Sequence, residues 1–330
     1  MKIKTKLTDI FGIDLPIIQG GMQWLAIPAF ASHFSNAGGM GTINVTCYRC
    51  PEEFADAIAE MNELTKKPYL VNVSLLPDQT QGDEKIFKYL DICAKGRVAG
   101  IEFAGANPAI FMPLCKEAGM KIVHKSPNAK VAKSMERKGA DAITIAGYEV
   151  AGHPSQDGIG TFVIANKVAS ICDCPVMAAG GVADGKGLAA ALALGASGVV
   201  VGTRFVATAE CPASYNHKRW LLEHSERDTI LIQKSIHNMM RVGNNMAAKL
   251  TCEMEARGTD LEELLNTVIS GAFSKASYSD GNVDGSIYAL GQAMGLVNDP
   301  RDVKPVAEVM NEMASDAKKI LENLNTLFTD

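Results

Sequence analysis

Eight apolar runs of strand length, recurring roughly 21 to 33 residues apart with helical patterns between them, predict a (β/α)8 TIM barrel. Most runs are continuously apolar rather than alternating, as in parallel strands covered on both faces. After the eighth run about 120 residues remain, more than one closing helix needs, and they predict an additional C-terminal helical lobe.

The strands are read in order at 16–20 (PIIQG), 40–45 (MGTINV), 69–75 (YLVNVSL) and 100–105 (GIEFAG). They continue at 121–126 (KIVHKS), 142–147 (AITIAG), 175–181 (PVMAAGG) and 198–205 (GVVVGTRF). The intervening helices carry their own punctuation. PAFASHFSNAGG ends in Gly38 and Gly39, a C-cap signal, while PEEFADAIAEMNELTKK opens with Pro51 and two acids and ends in lysines. NAKVAKSMERKGA and DGKGLAAALALGA each stop at Gly-Ala before the next strand. A doubly wound alternative rests on GKGLAA at 185–190, which fits G-x-G-x-x-A, with Glu210 about twenty residues on. That fingerprint belongs in the first βα unit, and here five or six units precede it, so the match is read as chance. Beyond strand 8, NHKRWLLEHSERDTILIQKSI, DLEELLNTVISGAF and DVKPVAEVMNEMASDAKKILENLNTLF all read as helical. The organisation predicted is a barrel over 1–210, a lobe over the barrel mouth at 211–300, and a final helix at 301–330 packed back on the barrel.

Composition narrows the function. A net charge of −5 without any basic cluster argues against a nucleic-acid or anionic-membrane partner. No apolar run approaches a membrane span, and the N-terminal stretch is broken by Asp9 and Asp14 with no cleavage site, so a cytoplasmic protein is expected. Of eight cysteines, Cys47 and Cys50 form C-x-x-C, and Cys172 and Cys174 form C-x-C. No second pair follows at zinc spacing, so they are read as free thiols and no metal is expected. The stretch HNMMRVGNNMAAKLTCEMEARG offers a helical face for a homodimer, although methionine on a helix more often belongs to the core.

In this fold chemistry sits at the strands' C-terminal ends. Ala179, Gly180 and Gly181 after strand 7, with Gly202 and Thr203 after strand 8, offer backbone N–H groups side by side, a phosphate site. The bland alternative is that these glycines only turn the chain. Lys125 at the end of strand 5 either meets an anion or reaches out to solvent, and Asn72 in strand 3 either satisfies local backbone or binds a heterocycle. His124 falls on the face opposite Lys125. A lysine, an asparagine and a phosphate site around one mouth suit FMN. The loop GYEVAGHPSQDGIG after strand 6 carries His153, which is either catalytic or a solvated loop histidine; His33, His217, His224 and His237 fall in helical patterns and are assigned no chemistry. Trp24 either walls the substrate pocket or packs under the lobe.

The stretches PIIQGGM, SNAGGMGTI, HKSPNAKVAKSMERKGADAITIAGYEVAGHP, PVMAAGGVADGKGLAAALALGASGVVVGTRF and RDTILIQKSIHNMMRVGNNMA resemble the nitronate monooxygenase family. GYEVAGHP is most similar to a bacterial subgroup that includes an NAD(P)H:quinone reductase, and the enoyl-acyl-carrier-protein reductase II branch shares the scaffold. The resemblance implies a non-covalent FMN contacted by Gly20, Gly21, Met22, Asn72, Lys125, Ala146, Ala179, Gly180, Gly181, Gly202 and Thr203, with His153 at the family's active-site histidine. Imidazole suits both holding a nitronate anion and taking a proton from a nitroalkane. HPSQDGIG departs from the more glycine-rich stretch of typical monooxygenases. Three functions follow as expectations: nitronate oxidation by flavin reoxidised by oxygen; NAD(P)H-dependent reduction of a quinone or an activated enoyl double bond; or a non-enzymatic sensor of a phosphate ligand.

Overall fold

The computed structural model describes residues 1–75, 82–155, 157–264, 275 and 278–327. Eight parallel strands, β1 (Ile17–Gln19), β2 (Gly41–Asn44), β3 (Tyr69–Leu75), β4 (Gly100–Gly105), β5 (Lys121–Ser126), β6 (Ala142–Ala146), β7 (Val176–Ala179) and β8 (Gly198–Val201), are hydrogen-bonded in the order 1-8-7-6-5-4-3-2. A bridge between Ile18 and Met40 joins β1 to β2 and closes the ring, through Gln19 N–H to the Met40 carbonyl at 2.9 Å and Met40 N–H to the Ile17 carbonyl at 3.1 Å. The fold is a TIM barrel.

The helices begin and end where their residues dictate. α1 (Lys6–Phe11) is capped by Thr5 and lies against the start of β8, where a Cβ at Gly198 would meet Leu7. Leu7, Phe11 and Ile13 thereby plug the N-terminal end of the barrel, below an interior of Ile18, Leu70, Val123, Met177 and Val200. α2 (Pro28–Asn36) and α3 (Pro51–Leu64) each open on proline. α4 (Asp83–Lys95) and α5 (Met112–Glu117) follow β3 and β4. α6 (Ala129–Lys138) is capped by the Asn128 side chain and stops at Gly139 in the left-handed region. α7 (Thr161–Ile171) follows β6, and α8 (Gly185–Ala193) is capped by Asp184. A C-terminal helix, Val306–Leu324, packs on α8 so tightly that a Cβ at Gly185 would lie 2.6 Å from Asp316 Cβ and 2.7 Å from Ala317 N. The glycine that opens GKGLAA therefore serves helix packing.

Two expectations are corrected. Strands 7 and 8 end earlier than predicted. Gly180 and Gly181 turn away at φ 103° and 72°, and Gly202 leads into a short helix, Thr203–Val206. The C-terminal third is not wholly helical. The helix Tyr215–Glu223 ends, and β9 (Thr229–Ile232) and β10 (Met240–Gly243) form an antiparallel hairpin before the helix Met246–Ala256. His237, expected in a helix, stands in the hairpin loop at φ 55°. The helix expected over DLEELLNTVISGAF is described at Leu261–Leu264, and residues 265–273 of that stretch lie outside the described residues. No described helix is long and apolar enough to cross a membrane.

Candidate active site

A cleft of about 180 Å3, partly open to solvent, lies over the C-terminal ends of the strands. After β1 it is lined by Gly20, Gly21 and Met22. Residue 21 must be small, because a Cβ there would stand 2.6 Å from Asn72 Cβ and Cγ on β3. After β7 and β8 the wall is Ala179, Gly180, Gly181, Gly202 and Thr203. The backbone at Gly180 is left-handed and close-packed, with a Cβ only 3.0 Å from Val150 N and from Thr161 Oγ1. Thr203 Oγ1 accepts the N–H of Gly291 at 3.0 Å, so it tethers the C-terminal segment as well as lining the cleft.

The barrel interior supplies the floor. Inward positions alternate along each strand, placing Asn72, Glu102 and Lys125 in the cleft. Lys125 is half-buried, and among the described residues no carboxylate forms an ion pair with it. His124 points the other way, buried, with Nδ1 2.8 Å from Ser126 Oγ; burial lowers its pKa to about 4. Ala146, assigned to the cofactor from the motif, is buried at the end of β6 but does not line the cleft. Every other residue named for the cofactor, and His153, does line it.

The loop after β6 is held rigidly from two sides. Glu149 accepts the backbone N–H of Thr161 at 2.9 Å and its hydroxyl at 2.8 Å, capping α7. On the other side Gly152 and Arg241 exchange backbone hydrogen bonds of 3.0 and 2.6 Å, adding the loop to the edge of the β9–β10 hairpin. The Arg241 guanidinium is buried over the Tyr148 ring, 4.8 Å from its centroid, and donates from Nε and Nη2 to the Tyr148 carbonyl and from Nη1 to Thr229. Burial pulls its pKa below the ordinary guanidinium value. His153 Nδ1 lies 3.3 Å from the Met239 carbonyl. A carbonyl only accepts, so Nδ1 carries the proton and Nε2 is the basic nitrogen. Met240, Tyr278, Tyr288 and Ala289, from the C-terminal segment, form the roof.

Sequence reasoning missed Glu102, which is 4% exposed and lines the floor. Its Oε2 accepts from Asn72 Nδ2 at 2.8 Å and its Oε1 from Thr144 Oγ1 at 3.0 Å. The one signal was a charged residue inside an otherwise apolar strand. Trp24 does not line the cleft: its backbone N–H meets Cys47 Sγ at 3.2 Å, and Lys275 Nζ stands 5.3 Å from its ring centroid. Burial pushes the Cys47 thiol up to about 12, so it is unreactive at neutral pH.

Comparison with known proteins gives a consistent result. A family profile described as nitronate monooxygenase matches residues 4–316. The chain is 29% identical, over 98% of its length and 99% of the relative's, to the (3aS,4S,5R,7aS)-5-hydroxy-7a-methyl-1-oxo-octahydro-1H-indene-4-carboxyl-CoA dehydrogenase of Rhodococcus jostii. It is 27% identical to the nitronate monooxygenase of Paraburkholderia phytofirmans, with 97% of each chain covered. Among solved structures it is similar to FabK from Thermotoga maritima, at 31% identity and a TM-score of 0.91, covering 99% of this chain and 100% of the other.

Proposed function

The chain belongs to the nitronate monooxygenase family and is a flavin-dependent oxidoreductase; from that premise we propose that its cleft holds FMN and that His153 works on a nitronate, with oxygen as the terminal electron acceptor. The observation that carries the reading is the convergence on one cleft of glycine-rich ends of β7 and β8, Lys125, which has no ion-pair partner among the described residues, and the His153 loop. The fit to FMN is supported on each count. Left-handed glycine backbone at Gly180 and Gly181, close-packed at Gly180 and beside Gly202 and Thr203, suits the phosphate. Gly20, Gly21 and Met22 with Asn72 would face the ring, and Lys125 would offset its electron-rich edge. A bound flavin supplies a two-electron acceptor. The protein's own work is then to bind and to move a proton. His153, with Nδ1–H on the Met239 carbonyl, accepts a proton at Nε2 from a neutral nitroalkane, or as imidazolium holds a nitronate. The roof of Met240, Tyr278 and Tyr288 excludes water above it.

A second reading, reduction of a quinone or an activated enoyl bond by NAD(P)H, is favoured by full-length similarity to FabK and to a carboxyl-CoA dehydrogenase. Anaerobic stopped-flow mixing separates the two. Rapid bleaching of the yellow protein by an alkyl nitronate supports the first, and bleaching by NADH or NADPH alone supports the second. Chromatography of the released cofactor identifies FMN. A protein that is colourless as purified and takes up no added FMN ends both.

A further inference from the structure

Among the described residues two acidic side chains, Glu102 and Glu149, line the cleft, and only Glu149 has an evident structural task. Glu149 is committed to the first turn of α7. Glu102 is buried inside the barrel on β4, where an ionised group is costly without a counter-charge. Both of its oxygens are hydrogen-bonded: Oε2 accepts from the Asn72 amide, which can only donate, and Oε1 lies 3.0 Å from the Thr144 hydroxyl, which can donate to it. Among the described residues that line the cleft, the only lysine or arginine is Lys125. Ala104 is paired with Lys125 across β4 and β5, so Glu102 sits one inward layer below the lysine, a diagonal of about 8 Å between Cα atoms from strand spacing and rise. The cleft floor therefore stacks an acidic side chain under a basic one, on barrel strands and beneath the space assigned to the flavin.

Resting on the flavin reading above, we propose that Glu102 is a potential-setting residue: its charge, fixed by Asn72 and Thr144, disfavours electron density arriving on the flavin and opposes Lys125. A charge on a side chain as buried as Glu102 acts over such distances with less screening than one in bulk water. The same hydrogen bond turns the Asn72 amide so that its Nδ2 is committed to Glu102, which fixes the orientation of a side chain packed against Gly21.

Glu102→Gln tests this, because the amide keeps the shape and its hydrogen bonds can be retained: Asn72 still donates to the Gln oxygen, and the Thr144 hydroxyl rotates to accept from the Gln nitrogen. In dithionite titrations of the flavin-loaded protein against a reference dye, the reduced-to-oxidised equilibrium should shift toward reduced by about tenfold, about 30 mV for a two-electron couple. Glu102→Asp, which keeps the charge, should stay within about threefold of the wild type. Glu102→Met, neutral and needing no hydrogen bond, decides the matter should the Gln protein fail to fold. An unchanged potential in the neutral variant overturns the proposal, and so does loss of flavin from a protein that keeps its circular dichroism, since the carboxylate is then a support of the site only. A wild-type protein that holds no flavin fails the parent reading instead, so the two failures are told apart.

Discussion

His153 and Lys125 have different debts to the protein, and their substitution should separate proton transfer from cofactor binding. The imidazole is oriented by a backbone carbonyl beside the hairpin, whereas the glycine cradle is backbone of the segments after β7 and β8. His153→Ala should therefore keep FMN bound while slowing nitronate-driven bleaching about 10²–10⁴-fold, the range of a general acid–base group. Loss of the flavin instead would assign His153 to the cofactor pocket. Lys125 is a half-buried amine with no ion-pair partner among the described residues. Lys125→Ala should weaken FMN binding about 10- to 100-fold, the worth of a charged hydrogen bond, without lowering the melting temperature of the apoprotein. Fluorescence titration and calorimetry check both, and unchanged affinity would contradict the role. At this scale the sequence showed whatever broke local pattern: glycine pairs at strand ends, a lysine ending a strand, a histidine in a glycine-rich loop. Glu102 escaped because GIEFAG scans as an apolar strand, and only the inward phase of its neighbours marks the acid as facing the cleft. Ala146 has the converse lesson, for a motif position can be buried beneath the site without lining it.

Among elements, the β9–β10 hairpin is the part that positions the loop carrying His153, and it was the part hidden from the sequence. TILI and MRVG are four-residue runs that periodicity cannot tell from helix segments. Their connecting loop holds Gln233 and His237 at φ 60° and 55°, where a hairpin signature would have placed Gly or Asn-Gly. The loop is instead stabilised from a distance: Glu255 on the following helix accepts the N–H groups of Gln233 and Ser235 at 2.8 and 2.9 Å. The eight barrel strands were legible for the opposite reason, since most are largely apolar and alternate regularly with helices. The hairpin reaches the site through Arg241. Arg241→Met keeps the aliphatic stem but removes all the hydrogen bonds to Tyr148 and Thr229. It should accelerate amide exchange at Gly152, whose N–H is bonded to the Arg241 carbonyl, by an order of magnitude or more, and slow turnover with the flavin retained. Lysine should not rescue it, because a single ammonium cannot reproduce the planar fork. Unaltered protection of Gly152 would show that the backbone zipper stands without the guanidinium.

For the molecule as a whole, barrel and C-terminal segment share an acid-sensitive element. Each buries a histidine: His124 behind β5, with its pKa lowered by burial to about 4, and His217 between the rings of Tyr278 and Tyr288 at 4.7 and 4.6 Å, lowered by burial to about 3. In the unfolded chain both titrate near 6.5. Between that value and their folded pKa values the unfolded state binds the protons and the native state does not. Their contribution is complete above pH 6.5 and falls as the pH drops toward 4 and 3, by about 1.4 kcal/mol per pH unit for each group. Glu136 acts in a lower window. Its carboxylate accepts from Lys133 and from the N–H groups of Asp173 and Cys174, which together outweigh its desolvation and hold its pKa at about 2, so its share is lost only between pH 4.5 and 2. Urea midpoints of the flavin-saturated protein should therefore drop steadily from pH 6.5 to 4.5, before carboxylate protonation dominates. His217→Gln should lower stability at pH 7 yet flatten that slope by about one proton, as should His124→Gln, and the double substitution by about two, because the sites lie on different elements and share no partner in the described contacts. A slope identical in wild type and double variant would mean that the two imidazoles are protonated in the native state, and that burial in this fold does not hold them neutral.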